Sequence, residues 1–228
     1  MTGMRGVVVT YVHPGWVQHT FMQSLLLAIS HDRQSESPMV VGVMPVRYRP
    51  VGIAHVRNQA VDEFLAGDGE WLWLVDTDMG FRADALHALL ASADPVARPV
   101  VGALCYGVME EEPDGLGGMV TRVFPTLYGW AEDAKVFTEW DGPVPSGLVR
   151  VAGTGAACLL VHRSVLERVG DGAWFDPIMD GTGGLVGEDL SFCWRLMCAG
   201  VPVHVDAAVP TNHQKHLWIN GSLHGTAG

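Results

Sequence analysis

The sequence predicts a single α/β domain with a mostly parallel central sheet, helices on both faces and a small antiparallel β patch. Two observations carry that class. Short apolar runs alternate with amphipathic helical segments through the first hundred residues, the pattern of strands laid side by side through helical crossovers. One of those runs, Trp71-Leu72-Trp73-Leu74-Val75, has no polar alternation, as expected of a strand buried on both faces. A third observation locates the interest of the chain: this run stops at Asp76-Thr77-Asp78, at the carboxyl edge where open α/β sheets take their ligands.

Taken in order, Val7 to Val12 reads as a strand, His13-Pro14-Gly15 as a turn, and Val17, Phe21, Leu25 and Ala28 as the buried face of a helix. A strand at Met39 to Met44 leads to a second helix marked by Ile53, Val56, Ala60, Val61, Phe64 and Leu65. The Trp71 to Val75 strand, a short helix over Ala83 to Ala91 and a strand at Val100 to Cys105 complete a first half, 1–106, assigned to the ligand-binding edge. The second half, 107–228, opens with a glycine- and acid-rich stretch, Gly107 to Gly118, that reads as a loop. Thr121 to Trp130 and Lys135 to Trp140 form a hairpin, and strands follow at Leu148 to Ala152 and Ala156 to His162. Gly170 to Gly187 reads as a glycine-rich loop carrying Trp174 and Phe175. It leads into a helix with Leu190, Cys193, Trp194 and Met197 that Gly200 ends, then a strand at Val201 to Val205 and a polar tail with His213, Lys215 and His216.

Composition excludes several classes. A formal charge of −11 with only two lysines, Lys135 and Lys215, gives no clustered cations for a nucleic-acid surface. No apolar run reaches the ~20 residues of a membrane span and the N-terminus shows no basic-then-apolar leader, so a soluble, cytoplasmic protein is expected. The four cysteines contain no CxxC pair and read as buried free thiols. An acidic chain that handles a phosphorylated ligand needs a divalent cation, which fits the charge balance.

Each candidate constellation has two readings. Asp76 and Asp78 are either a turn and cap or a hard-oxygen site for Mg2+ or Mn2+. Glu188-Asp189 is either a favourable helix start or a general base beside a flexible loop. His213 is either a surface residue or an imidazole completing a manganese site. Arg57-Asn58 is either a solvated helix face or a nucleotide contact through the guanidinium. Gly153-Thr154-Gly155 is either a turn or a close approach to ligand, and Trp174 either packs or stacks on a sugar.

In order, Val7-Val8-Val9-Thr10-Tyr11, Arg57-Asn58-Gln59-Ala60-Val61, Trp73-Leu74-Val75-Asp76-Thr77-Asp78-Met79, Gly153-Thr154-Gly155, Gly187-Glu188-Asp189-Leu190-Ser191-Phe192-Cys193 and His213 resemble the glycosyltransferase-A fold, especially family-2-like bacterial and phage enzymes. The resemblance spans nearly the whole chain. It implies a single Rossmann-like domain that moves a sugar from a nucleotide-diphosphate sugar to an acceptor hydroxyl on a protein or glycan. It further implies a donor site of Thr10, Tyr11, Arg57, Asn58, Asp76, Thr77 and Asp78, with Thr10 and Tyr11 at the nucleobase. The metal ligands implied are Asp76, Asp78 and His213, and the catalytic pair is Asp189 with Glu188. Gly183 to Phe192 is also similar to a motif of the polypeptide N-acetylgalactosaminyltransferases, which retain configuration, so the stereochemistry is open. In this reading the Gly170 to Gly187 loop closes over the donor.

Three other readings compete. A haloacid-dehalogenase-like phosphatase would use Asp76 as nucleophile and Asp78 as acid, but its motif normally falls on the first strand. A nucleotidyltransferase would want a glycine-rich phosphate loop between Val12 and Val17. A non-enzymatic sugar- or metal-binding module differs from all of these by lacking turnover.

Overall fold

A computed structural model describes residues 6–48, 52–111, 120–170 and 172–215; His216 and residues 112–118 of the acid-rich stretch lie outside them. The first half runs β1 (Val7–His13), α1 (His19–Gln34), β2 (Val40–Arg47), α2 (Ile53–Ala66), β3 (Trp71–Val75), β4 (Met79–Gly80), α3 (Ala85–Ser92) and β5 (Val100–Leu104). The second runs β6 (Tyr106–Glu111), β7 (Val120–Pro125), β8 (Leu127–Ala131), β9 (Val136–Glu139), β10 (Leu148–Val151), β11 (Gly153–Thr154) and β12 (Cys158–His162). It continues with α4 (Arg163–Val169), β13 (Ile178–Met179), β14 (Leu185–Val186), α5 (Glu188–Cys198), β15 (Val203–Pro210) and β16 (Asn212–His213).

Among the described residues, seven strands form the central sheet in the order β10-β15-β5-β12-β3-β1-β2. β1, β2, β3, β5 and β15 share one direction, while β12 and β10 run against them. The apolar run of β3 is explained by its surroundings: all five residues are buried between β1 and β12. Its alternation sorts them into two cores. Trp71, Trp73 and Val75 pack with Phe21 and Leu25 of α1 and Leu86 and Leu89 of α3. Leu72 and Leu74 pack with Phe64 of α2, Leu166 of α4 and Phe192 and Leu196 of α5. Helices therefore cover both faces, and this rigid double layer fixes where the sheet's carboxyl edge lies.

Three local expectations need correction, and one helix is not anticipated by the sequence. Gly107 to Glu111 is strand, not loop: β6 pairs antiparallel with β7, and Gly107 stands opposite Phe124. A Cβ on Gly107 would lie 2.6 Å from the Phe124 ring, so the glycine is there to admit the aromatic. Thr121 to Trp130 breaks at Pro125, so that β7 returns to β6 while β8 forms the hairpin with β9. The chain after β12 forms α4, whose Val165 and Leu166 are buried. Finally, the first part of Gly170 to Gly187 is core rather than lid. Trp174 and Phe175 are buried, the Trp174 indole donates to the Leu166 carbonyl at 2.9 Å, and the β13–β14 hairpin, with Met179 and Leu185 exposed, is tied to the β8–β9 turn through the Gly181 amide and the Lys135 carbonyl. Trp174 packs and offers no face to a sugar.

Candidate functional site

The site begins where β3 ends. The Asp76 amide still donates to the Ala157 carbonyl, just ahead of β12, at 2.9 Å, after which the backbone turns, with the Met79 amide closing onto the Asp76 carbonyl. β4 then pairs antiparallel with β16, setting His213 opposite Met79, and the Gln214 amide donates to the Asp78 carbonyl at 2.9 Å. Backbone pairing thus brings the tail to the acidic edge.

Two charge clusters result. In the first, Asp78 Oδ2 lies 3.1 Å from His213 Nε2 and 2.8 Å from Lys215 Nζ. Burial works against the Asp78 carboxylate, but hydrogen bonds from His213 and Lys215 outweigh it and hold its pKa down at about 2. Burial would lower the His213 pKa, and its bonds to Asp78 and the Tyr106 carbonyl raise it instead. The Tyr106 carbonyl, 2.7 Å from Nδ1, can only accept, so Nδ1 carries a hydrogen; the bond to the Asp78 carboxylate needs a second hydrogen on Nε2, the protonated ring that the raised pKa favours, and Nε2 has a lone pair to offer a cation once that proton leaves.

The second cluster surrounds Arg57. Its side chain is 4% exposed, and its Nη2 donates to both oxygens of Asp76, at 2.9 and 3.2 Å. Nη1 donates to Glu188 at 3.0 Å and to Asp189. The guanidinium also sits 5.6 Å from the Phe175 ring centroid. Burial opposes the guanidinium's charge, and Asp189, Asp76 and Glu188 overcome it, so its pKa is raised further. Burial pushes the Asp189 carboxyl up to about 6; Arg57 pulls against that shift, and the Asp76 and Glu188 charges add to it. One guanidinium against three carboxylates leaves this cluster with a formal charge of −2. The helix start at Glu188 contributes its positive end to the same point.

A cleft of about 380 Å³ opens beside both clusters. Val12, Pro14, Trp16, Gln18, Tyr48 and Ile53 line one side, and Arg57, Asp76, Thr77, Asp78 and Glu188 the other. The structure therefore gathers Arg57, Asp76, Thr77, Asp78, Glu188, Asp189 and His213, and separates others. Thr10 is fully buried with its hydroxyl on the Met44 carbonyl at 2.9 Å, and Tyr11 packs against Phe21. Neither ends the strand, because β1 continues to His13; Val12 and Pro14 hold the place assigned to them. Asn58 is buried, accepting from the Phe175 amide at 2.8 Å and donating to Asp176 at 2.7 Å, so its amide fastens a loop and does not line the cleft. Gly153 is open toward Leu190 and Phe137, not toward the cleft: a Cβ there would meet Leu190 at 2.8 Å.

The expected ligand set of Asp76, Asp78 and His213 does not converge. Asp76 is committed to Arg57, and among the described residues no group of three or more His, Cys, Asp or Glu side chains stands ready for a metal ion. Asp78 with His213 does fit a divalent cation. A hard carboxylate oxygen faces an imidazole nitrogen whose other nitrogen is oriented by a backbone carbonyl, the arrangement that fixes metal-binding histidines.

Trp16, Tyr48, Lys215 and the burial of Arg57 are the parts that sequence reading missed. The last left a signal: Arg57, Ala60, Val61 and Phe64 stand at i, i+3, i+4 and i+7, so the arginine lies on the core face of α2.

The class that this sheet and its acidic edge define is the glycosyltransferase-A fold. No protein-family model matches the chain, and no curated protein matches its sequence. Among solved structures, the crystal structure of A197 from STIV is similar over 92% of this chain and 86% of its own, with a TM-score of 0.56 at 16% identity. The crystal structure of GalNAc-T7 with UDP, GalNAc and Mn2+ is similar over 92% of this chain, with a TM-score of 0.54 at 12% identity, and the match spans 44% of that longer chain. Among the described residues no helix is long and apolar enough to cross a membrane.

Proposed function

We propose that this chain is a metal-dependent glycosyltransferase that moves a sugar from a nucleotide-diphosphate sugar to an acceptor hydroxyl on a protein or glycan. The observation that carries the reading is the cleft at the carboxyl edge of β3, where Asp78 faces His213 and the Arg57 cluster keeps a net negative charge. A donor diphosphate is itself anionic, so it enters such an edge only together with added cation charge. Asp78 and His213 would hold a Mn2+ or Mg2+ ion, which when bound supplies charge neutralisation for a diphosphate leaving group. Its fold neighbour GalNAc-T7, solved with UDP, GalNAc and Mn2+, supports that ligand class.

The chain's own groups take the remaining roles. Trp16 and Tyr48, 63% and 40% exposed at the mouth of the cleft, present ring faces to the nucleobase beside Val12 and Pro14. Arg57 holds Asp76 in a fixed orientation toward the ribose side and steadies Glu188 and Asp189 at the start of α5. Asp189, with its proton affinity raised by burial, is the group suited to take the proton of an acceptor hydroxyl near neutral pH, and Glu188 closes the cleft beside it.

A panel of nucleotide sugars incubated with the protein and Mn2+, read by released nucleoside diphosphate, tests the proposal. Release that requires the metal and disappears in Asp78→Ala supports it. Turnover that survives without metal, or a generic phosphoester cleaved faster than any nucleotide sugar, sinks it in favour of the phosphatase reading.

A further inference from the structure

A second cleft, of about 400 Å³, lies at the C-terminal end of α5. Tyr128, Trp130 and Trp140 line it with Arg150 and Met197, and among the described residues no carboxylate contributes to its wall. That is unusual ground in a chain of net charge −11. The Arg150 guanidinium makes no hydrogen bond or ion pair with any described residue. Its cross-strand neighbour His204 does not share the positive charge, because burial, reinforced by Arg150 and Arg98, lowers its pKa.

The aromatic rings are fixed in place. The Trp130 indole donates to Glu132 at 2.7 Å and the Trp140 indole to the Pro143 carbonyl at 3.1 Å. With both N–H groups used, these indoles offer faces rather than donors. A proline-rich peptide, which needs donors for its carbonyls as well as ring faces, is poorly matched; the C–H faces of a pyranose ring are well matched. An unpaired guanidinium at the same cleft suits a carboxylate on that sugar.

The cleft also lies within reach of the reacting groups. Tyr128 is paired with Gly153, and two residues on, a Cβ at Gly155 would sit 3.6 Å from Asp189 Oδ2. Strand spacing and rise put that path at roughly 12 Å, the span of a short oligosaccharide rather than a monosaccharide. Burial, with help from the Glu139 and Asp189 carboxylates, raises the Tyr128 phenol's pKa, so the Asp189 charge is felt at the near edge of the cleft.

We propose that the cleft of Tyr128, Trp130, Trp140 and Arg150 binds an acidic oligosaccharide, a uronate- or sialate-bearing glycan, as the acceptor of the transfer reaction. The role as acceptor rests on the transferase reading above; the binding itself does not.

The test titrates tryptophan fluorescence of the whole chain with trisaccharides ending in glucuronate, galacturonate or N-acetylneuraminate, each beside its carboxyl-reduced neutral form. Nucleoside diphosphate release without acceptor is measured in parallel. At least one acidic trisaccharide binds about tenfold or more tightly than its neutral form. Arg150→Gln, on the exposed edge strand β10, abolishes that preference; Trp140→Ala weakens both forms; neither changes acceptor-independent release. Absence of binding by every acidic trisaccharide, equal binding of acidic and neutral forms, an unaltered preference in Arg150→Gln, or tighter occupation of the cleft by a proline-rich peptide overturns the proposal. If binding behaves as described while no nucleotide sugar is turned over, the transferase reading fails and the cleft stands as a glycan-binding site.

Discussion

The two clefts at the ends of α5 are built on opposite terms. At its N-terminus, ionised groups are drawn into the protein and satisfied by one another: Arg57 is held by three carboxylates from two other elements, and none of the four side chains is more than about a third exposed. At its C-terminus, half-buried rings stand around a guanidinium with no partner among the described residues. The first arrangement is costly to disturb because each charge depends on the rest; the second is cheap to disturb because little of the fold leans on it. Under the proposed function, geometry for chemistry is stored in the buried cluster, while selectivity is carried by a surface that can vary without threatening the fold.

Removing Arg57 should have the largest effect. Arg57→Met leaves three carboxylates gathered without their cation, and urea unfolding should show a loss of about 3 kcal/mol or more. Arg57→Lys, which keeps the charge and loses the fork, should fall between the two. Near-native stability in Arg57→Met would erase the contrast between the clefts.

Asp189→Asn should leave the fold in place and reduce transfer by about 10²- to 10⁴-fold. In the wild type the carboxylate is the working form, so transfer should decline as pH falls through about 6. The same raised pKa means the folded chain holds this proton more tightly than the unfolded one. Its stabilising contribution is full below about 3.8 and is lost as pH rises through about 6. A rate profile flat to pH 4.5 would contradict the assignment.

Asn58→Ala strands the buried Phe175 amide and should cost about 1 to 3 kcal/mol, with faster proteolysis near Asp176 as the local readout. The smallest effect belongs to the other cleft. Arg150→Gln should change the unfolding free energy by less than about 0.5 kcal/mol, since the side chain is exposed and unpaired.

How far the sequence could be read follows the same division. The β3 run and its acidic end were legible because an unbroken apolar strand needs cover on both faces, and two such residues as Trp71 and Trp73 leave few other placements. The helix at Glu188 was legible from its spacing. The Arg57 cluster was not, since its partners lie 19, 131 and 132 residues away and only the folded sheet brings them together. The resemblance implies Thr10 and Tyr11 at the nucleobase, but β1 runs on to His13 and carries both residues below the edge. Gly107 reads as a loop residue because the stretch to Gly118 is rich in glycine and acid, and what justifies it in a strand, Phe124, lies seventeen residues further along. Glycines on either side of Trp174 suggest freedom, while Leu166 and Asn58 hold the segment in the core, so of its two readings packing is the one that stands.

The central claim is that Asp78 and His213 form an exchangeable cation site distinct from the fixed cation Arg57 beside it. Its most direct test is Mn2+ binding followed by the loss of the free-ion electron paramagnetic resonance signal, with and without a nucleoside diphosphate. The account predicts saturable binding, strengthened by the nucleotide and lost in both Asp78→Ala and His213→Ala. Undiminished Mn2+ binding in those two variants would contradict it.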